Sequence, residues 1–241
     1  MARETYQKGV GEAMLKWRRR PRLLVFSCVY FHFAFVVENR DETRQGRVLY
    51  RKILMITIVS GLPRSGTSLM MQMLVAGGMT ALSDGERKPD TDNPKGYLEW
   101  ERIKQLPKEP GLITEAEGRV VKVISQLILS LPDGPEYRIV FMQRPMAEVL
   151  KSQEEMLKRR GTHDSGGNTA AIEQVFQRHL MDVDKWLAAK RNAKVLRVQY
   201  HRILQEPRAV AEEVAALLGV ELEIKAMVGP VDASLYRNRM R

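Results

Sequence analysis

The stretch IVSGLPRSGTSLMMQML, Ile58 to Leu74, constrains the fold more than any other part of the chain. A β-branched and apolar run from Ile53 to Ser60 ends at Gly61. A turn rich in Gly, Ser and Thr follows, and a helix pattern from Ser68 to Val75 is stopped by Gly77-Gly78. A continuous apolar run of this kind reads as a strand buried on both faces, as in a parallel sheet. A strand that turns through glycines into a helix aims several backbone N–H groups at one point, with the helix dipole behind them. Such a nest is an anion site best suited to phosphate.

The rest of the chain repeats the alternation. Arg119 to Ile124 and Arg138 to Met142 are buried-strand candidates, and Lys194 to Tyr200 is a fourth. Pro145 opens a helix that runs to about Arg160, taking the first helical position, where its missing N–H costs least. Ala170 to Lys190 is a long amphipathic helix, and Pro207 to Leu218 is another, stopped by Gly219. Ser83 to Gly96 is polar and contains two prolines, and Gly161 to Asn168 is a Gly/Ser/Asp stretch; both read as loops. Strands alternating with helices predict an α/β fold, a three-layer P-loop-like arrangement with a central parallel β-sheet flanked by helices. There is no internal repeat.

The loop departs from the nucleotide-triphosphate pattern at one place. That pattern needs a lysine before the Ser/Thr, where it reaches the β- and γ-phosphates. Here the position is Thr67, followed by Ser68, and the only cation in the turn is Arg64, ahead of Ser65 and Gly66. Gly61 and Gly66 give the backbone freedom where a Cβ would collide with a bound anion. A tight strand–helix turn with no ligand explains the glycines, but not Arg64, Ser65, Thr67 and Ser68 together.

At these residues the sequence resembles the sulfotransferases, whose phosphosulfate loops commonly read Pro-Arg/Lys-Ser-Gly-Thr. Two further stretches carry the resemblance. RIVFMQRPMAEVLKSQ places Arg144 after a strand and Ser152 eight residues later, as the family does for the pair that binds the donor's 3′-phosphate. That spacing is about two helical turns, so both can lie on one side of a helix. Tyr200, Leu204, Pro207, Leu218 and Gly219 fit the family's strand-to-helix stretch, with His201 and Arg202 where an acidic pair often stands. The resemblance covers roughly residues 55–241 and marks them as a sulfotransferase-like domain.

It implies 3′-phosphoadenosine 5′-phosphosulfate (PAPS) as co-substrate and no metal. Arg64, Ser65, Gly66, Thr67 and Ser68 would hold the 5′ end, and Arg144 and Ser152 the ribose phosphate. Arg64 would also stabilise charge on the leaving phosphate, so its loss is expected to cost turnover more than donor affinity. Lys122 breaks a buried strand run and needs a partner or an anion. It reads either as a second cation facing the site or as a strand-end residue reaching water. The acceptor must lose a proton. Glu86 lies where the tyrosyl-protein sulfotransferases place a catalytic glutamate. Glu99 is the other candidate, with Asp84 and Asp92 behind it, and His163 lies in the Gly-rich loop. Two alternatives stay open: a P-loop nucleotide or small-molecule kinase, and a nucleotide-binding protein of the same fold without the chemistry. Against the kinase, no aspartate follows the strands ending at Ile124 and Met142.

Charge narrows the partners. The formal net charge is +10, but residues 1–54 alone carry 12 Lys/Arg against 5 Asp/Glu. The remainder is close to neutral, which does not suit a general nucleic-acid binder and leaves a small-molecule or glycan acceptor. Oligomeric state is not legible. In residues 1–54, Arg18-Arg19-Arg20-Pro21-Arg22 precedes an apolar run, residues 23–37, shorter than the roughly 20 residues of a spanning helix. This N-terminal extension reads as a short membrane anchor, as an element packed on the domain, or as an extension foreign to the fold with Met55 the functional start. A single cysteine, Cys28, favours a reducing compartment and a cytoplasmic protein, with anchorage through residues 23–37 the alternative.

Overall fold

The computed structural model of the chain describes residues 55–90, 93, 96–159, 169–232 and 234. The N-terminal extension, Asp92 and His163 lie outside the described residues.

The apolar run does form a strand, β1 (Met55–Gly61), every residue of which after Met55 is buried. It is followed by α1 (Thr67–Ala76), β2 (Val120–Lys122), a single-turn helix α2 (Ser125–Ile128), β3 (Glu136–Gln143), α3 (Met146–Arg159), α4 (Thr169–Ala189), β4 (Ala193–Gln199), α5 (Tyr200–Gln205), α6 (Pro207–Leu218) and α7 (Ile224–Val228). The four strands form one parallel sheet in the order β2-β1-β3-β4.

Both faces of the sheet are covered, as continuous apolar strands require. Side chains alternate between them. Ile56, Ile58, Val121, Val123, Ile139 and Phe141 pack on one face with Trp100, Ile103, Val183 and Leu187. Val59, Val120, Val140, Met142 and Val198 pack on the other with Met70, Met71, Met73 and Leu74 of α1 and with Val210 and Val214 of α6. The methionines of α1 thus fill the layer under the glycine turn. This is the three-layer α/β architecture the alternation implies.

Several boundaries differ from the sequence reading. β2 keeps only three residues: Val123 N still donates to Val59 O at 3.0 Å, but Ile124 is already the N-cap of α2. α3 starts at Met146, so Pro145 precedes it rather than opening it. β4 ends at Gln199, and Tyr200 begins α5. The region between Ala81 and Gly118 contains two 3₁₀ segments, Glu101–Gln105 and Pro110–Ala116, that bury Ile103, Leu112 and Ile113. Short turns of this kind lack a full helical period and so leave little trace in a sequence.

Register decides where function can sit. Val59 pairs with Lys122, Gly61 with Met142, and Gln143 with Gln199. The glycine turn, Lys122, Arg144 and Tyr200 therefore all emerge at the carboxyl edge of the sheet, where open α/β folds bind ligands.

Candidate active site

The turn between β1 and α1 is held by its own atoms. Ser65 N donates to Leu62 O at 3.1 Å, and Ser65 Oγ donates to the same carbonyl at 2.7 Å. Ser65 is buried and its hydroxyl is spent inside the turn, so this donor faces inward rather than toward a ligand. Gly61 sits at φ +148°, and a Cβ there would come within 2.5 Å of Ser65 Oγ and 2.7 Å of Met142 O. Gly66 sits at φ +101°, where a Cβ would come within 2.4 Å of the Tyr200 ring. Both glycines are thus already required by neighbouring protein atoms, before any bound anion is considered. Arg64 adopts φ 71°, and Leu98, beside Glu99, adopts φ 49°. Among the described residues these are the two non-glycine positions with positive φ. Such backbone costs on the order of 1 kcal/mol or more and persists where its surroundings enforce it.

Gly66 is the N-cap of α1 and no side chain caps the helix. The first N–H groups of a helix have no intrahelical partner, and Thr67 and Ser68 line a cleft of about 720 Å³. The cleft wall also includes Arg64, Gly66, Lys122, Glu99, Arg144, Ser152 and Tyr200. Of the sequence candidates, Glu86 is exposed and is not part of that wall, and neither is Ser65.

On the β3 side, the strand end and the first turns of α3 supply the groups. Arg144 Nε donates to Glu148 Oε2 at 2.9 Å, a nearly buried ion pair. Arg144 Nη1 donates to the carbonyl of Arg64 at 3.2 Å, and the guanidinium lies 4.8 Å from the centre of the Tyr200 ring. Ser152, one turn beyond Glu148 and 2% exposed, accepts from Arg64 Nε at 3.0 Å. Burial pushes the Tyr200 phenol above its ordinary range, against the opposing pull of Arg144 and Arg64.

On the β2 side, Lys122 is 4% exposed and reaches water through no strand end. Its ammonium donates to Ser68 Oγ at 3.0 Å, to the Tyr97 carbonyl, and to Glu99 Oε1 at 3.3 Å. Burial pushes its pKa down to about 8, and Glu99 opposes the shift. Arg87 holds both Glu99 oxygens at 3.0 Å and lies over the Tyr97 ring at 3.4 Å. The Tyr97 hydroxyl donates to Asp90 at 2.7 Å, and Gln72 of α1 donates to Gly96 O at 2.9 Å, which fixes this segment against the helix. Asp84 caps backbone amides of Glu86 and Glu101, a structural use.

The structure thus adds Arg87, Tyr97, Glu148 and Tyr200 to the cleft's polar framework. Tyr200 had a signal in its place in the strand-to-helix stretch, although that stretch reads as structural. Arg87 and Tyr97 lie in a polar loop with no pattern of their own.

The architecture is similar to that of solved sulfotransferases. Sulfotransferase STF1 from Mycobacterium tuberculosis H37Rv matches with a TM-score of 0.50 at 16% identity, over 77% of this chain and 74% of that one. The chain has the sulfotransferase fold. Two further matches have lower scores. The sulfotransferase domain of the Synechococcus PCC 7002 olefin synthase gives 0.45 at 16% identity, over 81% and 83% of the two chains. The sulfotransferase domain from the curacin biosynthetic pathway gives 0.45 at 15% identity, over 76% and 80%. No protein-family model matches the sequence, and no curated protein matches it. Within the sulfotransferase fold, the cleft occupies the carboxyl edge of the sheet, and its arginines flank the uncapped start of α1.

Proposed function

We propose that this protein is a sulfotransferase that takes a sulfuryl group from PAPS and passes it to a hydroxyl or amine of a small-molecule or glycan acceptor. One observation carries the reading. Arg64, in the turn that leads into the uncapped start of α1, is hydrogen-bonded to both Arg144 and Ser152, so the turn and that pair meet at the carboxyl edge of the sheet.

The residues fit a nucleotide with a phosphate at each end of its ribose. The α1 amides and the Thr67 and Ser68 hydroxyls would hold the 5′ end. Arg144 and Ser152 would hold the 3′-phosphate, and a cleft of about 720 Å³ is the size of an ordinary small-ligand site. When bound, PAPS supplies an activated sulfuryl group. Transfer forms a bond from the acceptor atom to sulfur and breaks the bond from sulfur to the 5′-phosphate oxygen, which keeps the electron pair. Arg64 and the Lys122 ammonium, bonded to Ser68, stabilise the charge that builds there. Glu99, which shares the cleft wall with the carboxylates of Glu101, Glu155 and Asp232 and is the one held beside Lys122, takes the acceptor's proton; Glu86 lies outside that wall.

Calorimetric titration with 3′-phosphoadenosine 5′-phosphate (PAP), against ATP with Mg²⁺, tests the reading. Micromolar binding of PAP alone is expected. Binding of ATP with Mg²⁺ and not of PAP would favour a kinase and overturn it.

A further inference from the structure

The cleft wall changes character beside the charged groups of the β2 side. Ile124 stands two residues past Lys122, and Trp100 directly follows Glu99. Ile124 and Leu127, joined by the bond from Leu127 N to Ile124 O at 2.9 Å, line the cleft half-buried. Leu127 packs against the core layer that holds Trp100 and Ile103, which line the cleft as well. Met156, one helical turn past Ser152 on α3, adds a half-buried thioether. Polar groups nearby are already engaged. Gln72 donates to Gly96 O at 2.9 Å and to Asn93 Oδ1 at 3.2 Å, and Asn93 Nδ2 donates to the same Gly96 carbonyl. Lys104 is paired with Glu101, while Glu155 and Arg159 stand on the last turns of α3, Arg159 exposed. The aromatic rings of the wall offer no open face: Arg87 covers Tyr97, Arg144 lies over Tyr200, and Trp100 is only 7% exposed. The Trp100 indole N–H has no hydrogen-bond partner among the described residues, yet it is not a fully buried atom, so it keeps contact with solvent at the wall.

We infer that this part of the cleft is an acceptor subsite for an apolar alcohol or phenol, whose ring or chain lies against Ile103, Ile124, Leu127 and Met156 while its hydroxyl reaches Glu99. The inference rests on the sulfotransferase reading above and narrows it, because it sets the glycan aside. A sugar placed here would bury hydroxyls against aliphatic side chains and against amides that are already spent, at a cost nothing offsets. It would also find no exposed ring face to stack on. An apolar body instead removes half-buried aliphatic surface from water. The Trp100 N–H gives that body one donor, suited to an ether or carbonyl oxygen. In the transfer, the acceptor's hydroxyl oxygen forms the bond to sulfur and its proton goes to Glu99. The 5′-phosphate oxygen leaves with the electron pair of the broken bond.

The experiment uses the full chain saturated with PAP and measures, by calorimetry, the binding of 2-naphthol, cyclohexylmethanol, glucose and cellobiose. Sulfation of the same compounds from PAPS is read in parallel as PAP released. Wild type should bind the two apolar compounds about a hundredfold more tightly than the sugars, and kcat/KM should keep that order. Ile124→Asn and Leu127→Asn should each weaken 2-naphthol about tenfold. Trp100→Phe keeps most of the packing and removes the N–H. It should weaken 6-acetyl-2-naphthol about fivefold and 2-naphthol less than about twofold. Sugars bound or sulfated as well as the apolar compounds would overturn the inference and leave the sulfotransferase reading standing. So would PAP-loaded protein that takes neither apolar compound. If the two asparagine variants weaken PAP as much as they weaken 2-naphthol, these residues border the nucleotide and the inference falls. Wild type that does not bind PAP at all would sink the donor reading, and this inference with it.

Discussion

The two sides of the cleft are built differently. On the β3 side, Arg144, Glu148 and Ser152 come from one strand end and the helix that follows it, so one short stretch of chain places three groups. On the β2 side, Lys122 meets Ser68 across 54 positions, Glu99 across 23, and Arg87 reaches Glu99 across 12. The first side is a local motif. The second is a product of tertiary folding, with a strained Leu98 turning Tyr97 O and Glu99 together toward one ammonium. In the proposed reaction the local side recognises the nucleotide, and the assembled side meets the acceptor. Residues that bind an invariant donor can be carried by a fixed spacing, whereas an acceptor wall changes with its substrate and sits on loops.

The largest expected effect would break this division at Glu99. Glu99→Gln should lower turnover about a thousandfold, in the range a positioned general base supplies. Glu86→Gln should leave turnover near wild type. Steady-state rates with an accepted substrate decide it, with thermal melting to confirm that Lys122, deprived of its carboxylate, still sits in a folded chain. Equal losses from the two variants would mean that the wall containing Glu99 is not the acceptor side.

Next comes Arg64→Ala, which tests the β3 side. Removing one group that stabilises developing charge typically costs roughly a hundredfold in turnover. The loss in PAP affinity from releasing Ser152 should be smaller, about tenfold. A variant with normal turnover and poor donor binding would make Arg64 a binding residue only.

This contrast also explains what the sequence could and could not reveal. The four strands, their helices and the phosphate turn were legible because each rests on a local pattern, such as an apolar run, a glycine pair or a proline at a helix start. Arg144 and Ser152 were legible for the same reason, with a spacing that a helix converts into proximity. Lys122 stood out as a polar break in a buried strand, yet whether it faced water or the cleft depended on Ser68, Tyr97 and Glu99, which no window of sequence shows together. The choice between Glu86 and Glu99 was closed to sequence reading because both lie in a polar segment without periodicity. The protein contacts that require Gly61 and Gly66 were hidden for a related reason: atoms that exclude a Cβ belong to Met142 and Tyr200, far along the chain.

A smaller effect is expected where the turn enters α1. Gly66→Ala forces a Cβ into the Tyr200 ring at an unfavourable φ. It should destabilise the chain by about 2 kcal/mol, within the span for strained backbone. Chemical denaturation measures it. Replacing Tyr200 with Leu in the same background should recover part of the loss, since the nearest obstacle is that ring. No recovery would assign the cost to the backbone angle alone.

A pH effect, small near neutrality, belongs wholly to the β2 side. The Lys122 pKa, pushed by burial to about 8, lies well below that of an ordinary lysine. Its positive charge is therefore fully present below pH 8 and lost as pH rises through that value in the folded protein. If the ammonium steadies the leaving phosphate through Ser68, turnover should fall toward tenfold per unit above pH 8, while the local Arg144–Ser152 pair holds the nucleotide unchanged. Stability should move the opposite way. Between about pH 8 and the unfolded lysine's range near 10.4, the unfolded chain keeps a proton that the folded chain has released, so folding gains as pH rises. Lys122→Met should remove both trends, giving a flat rate above pH 8 at a lower plateau. A wild-type rate that stays level to pH 10 would mean that the charge of Lys122 serves the fold of the β2 wall and not the transfer itself.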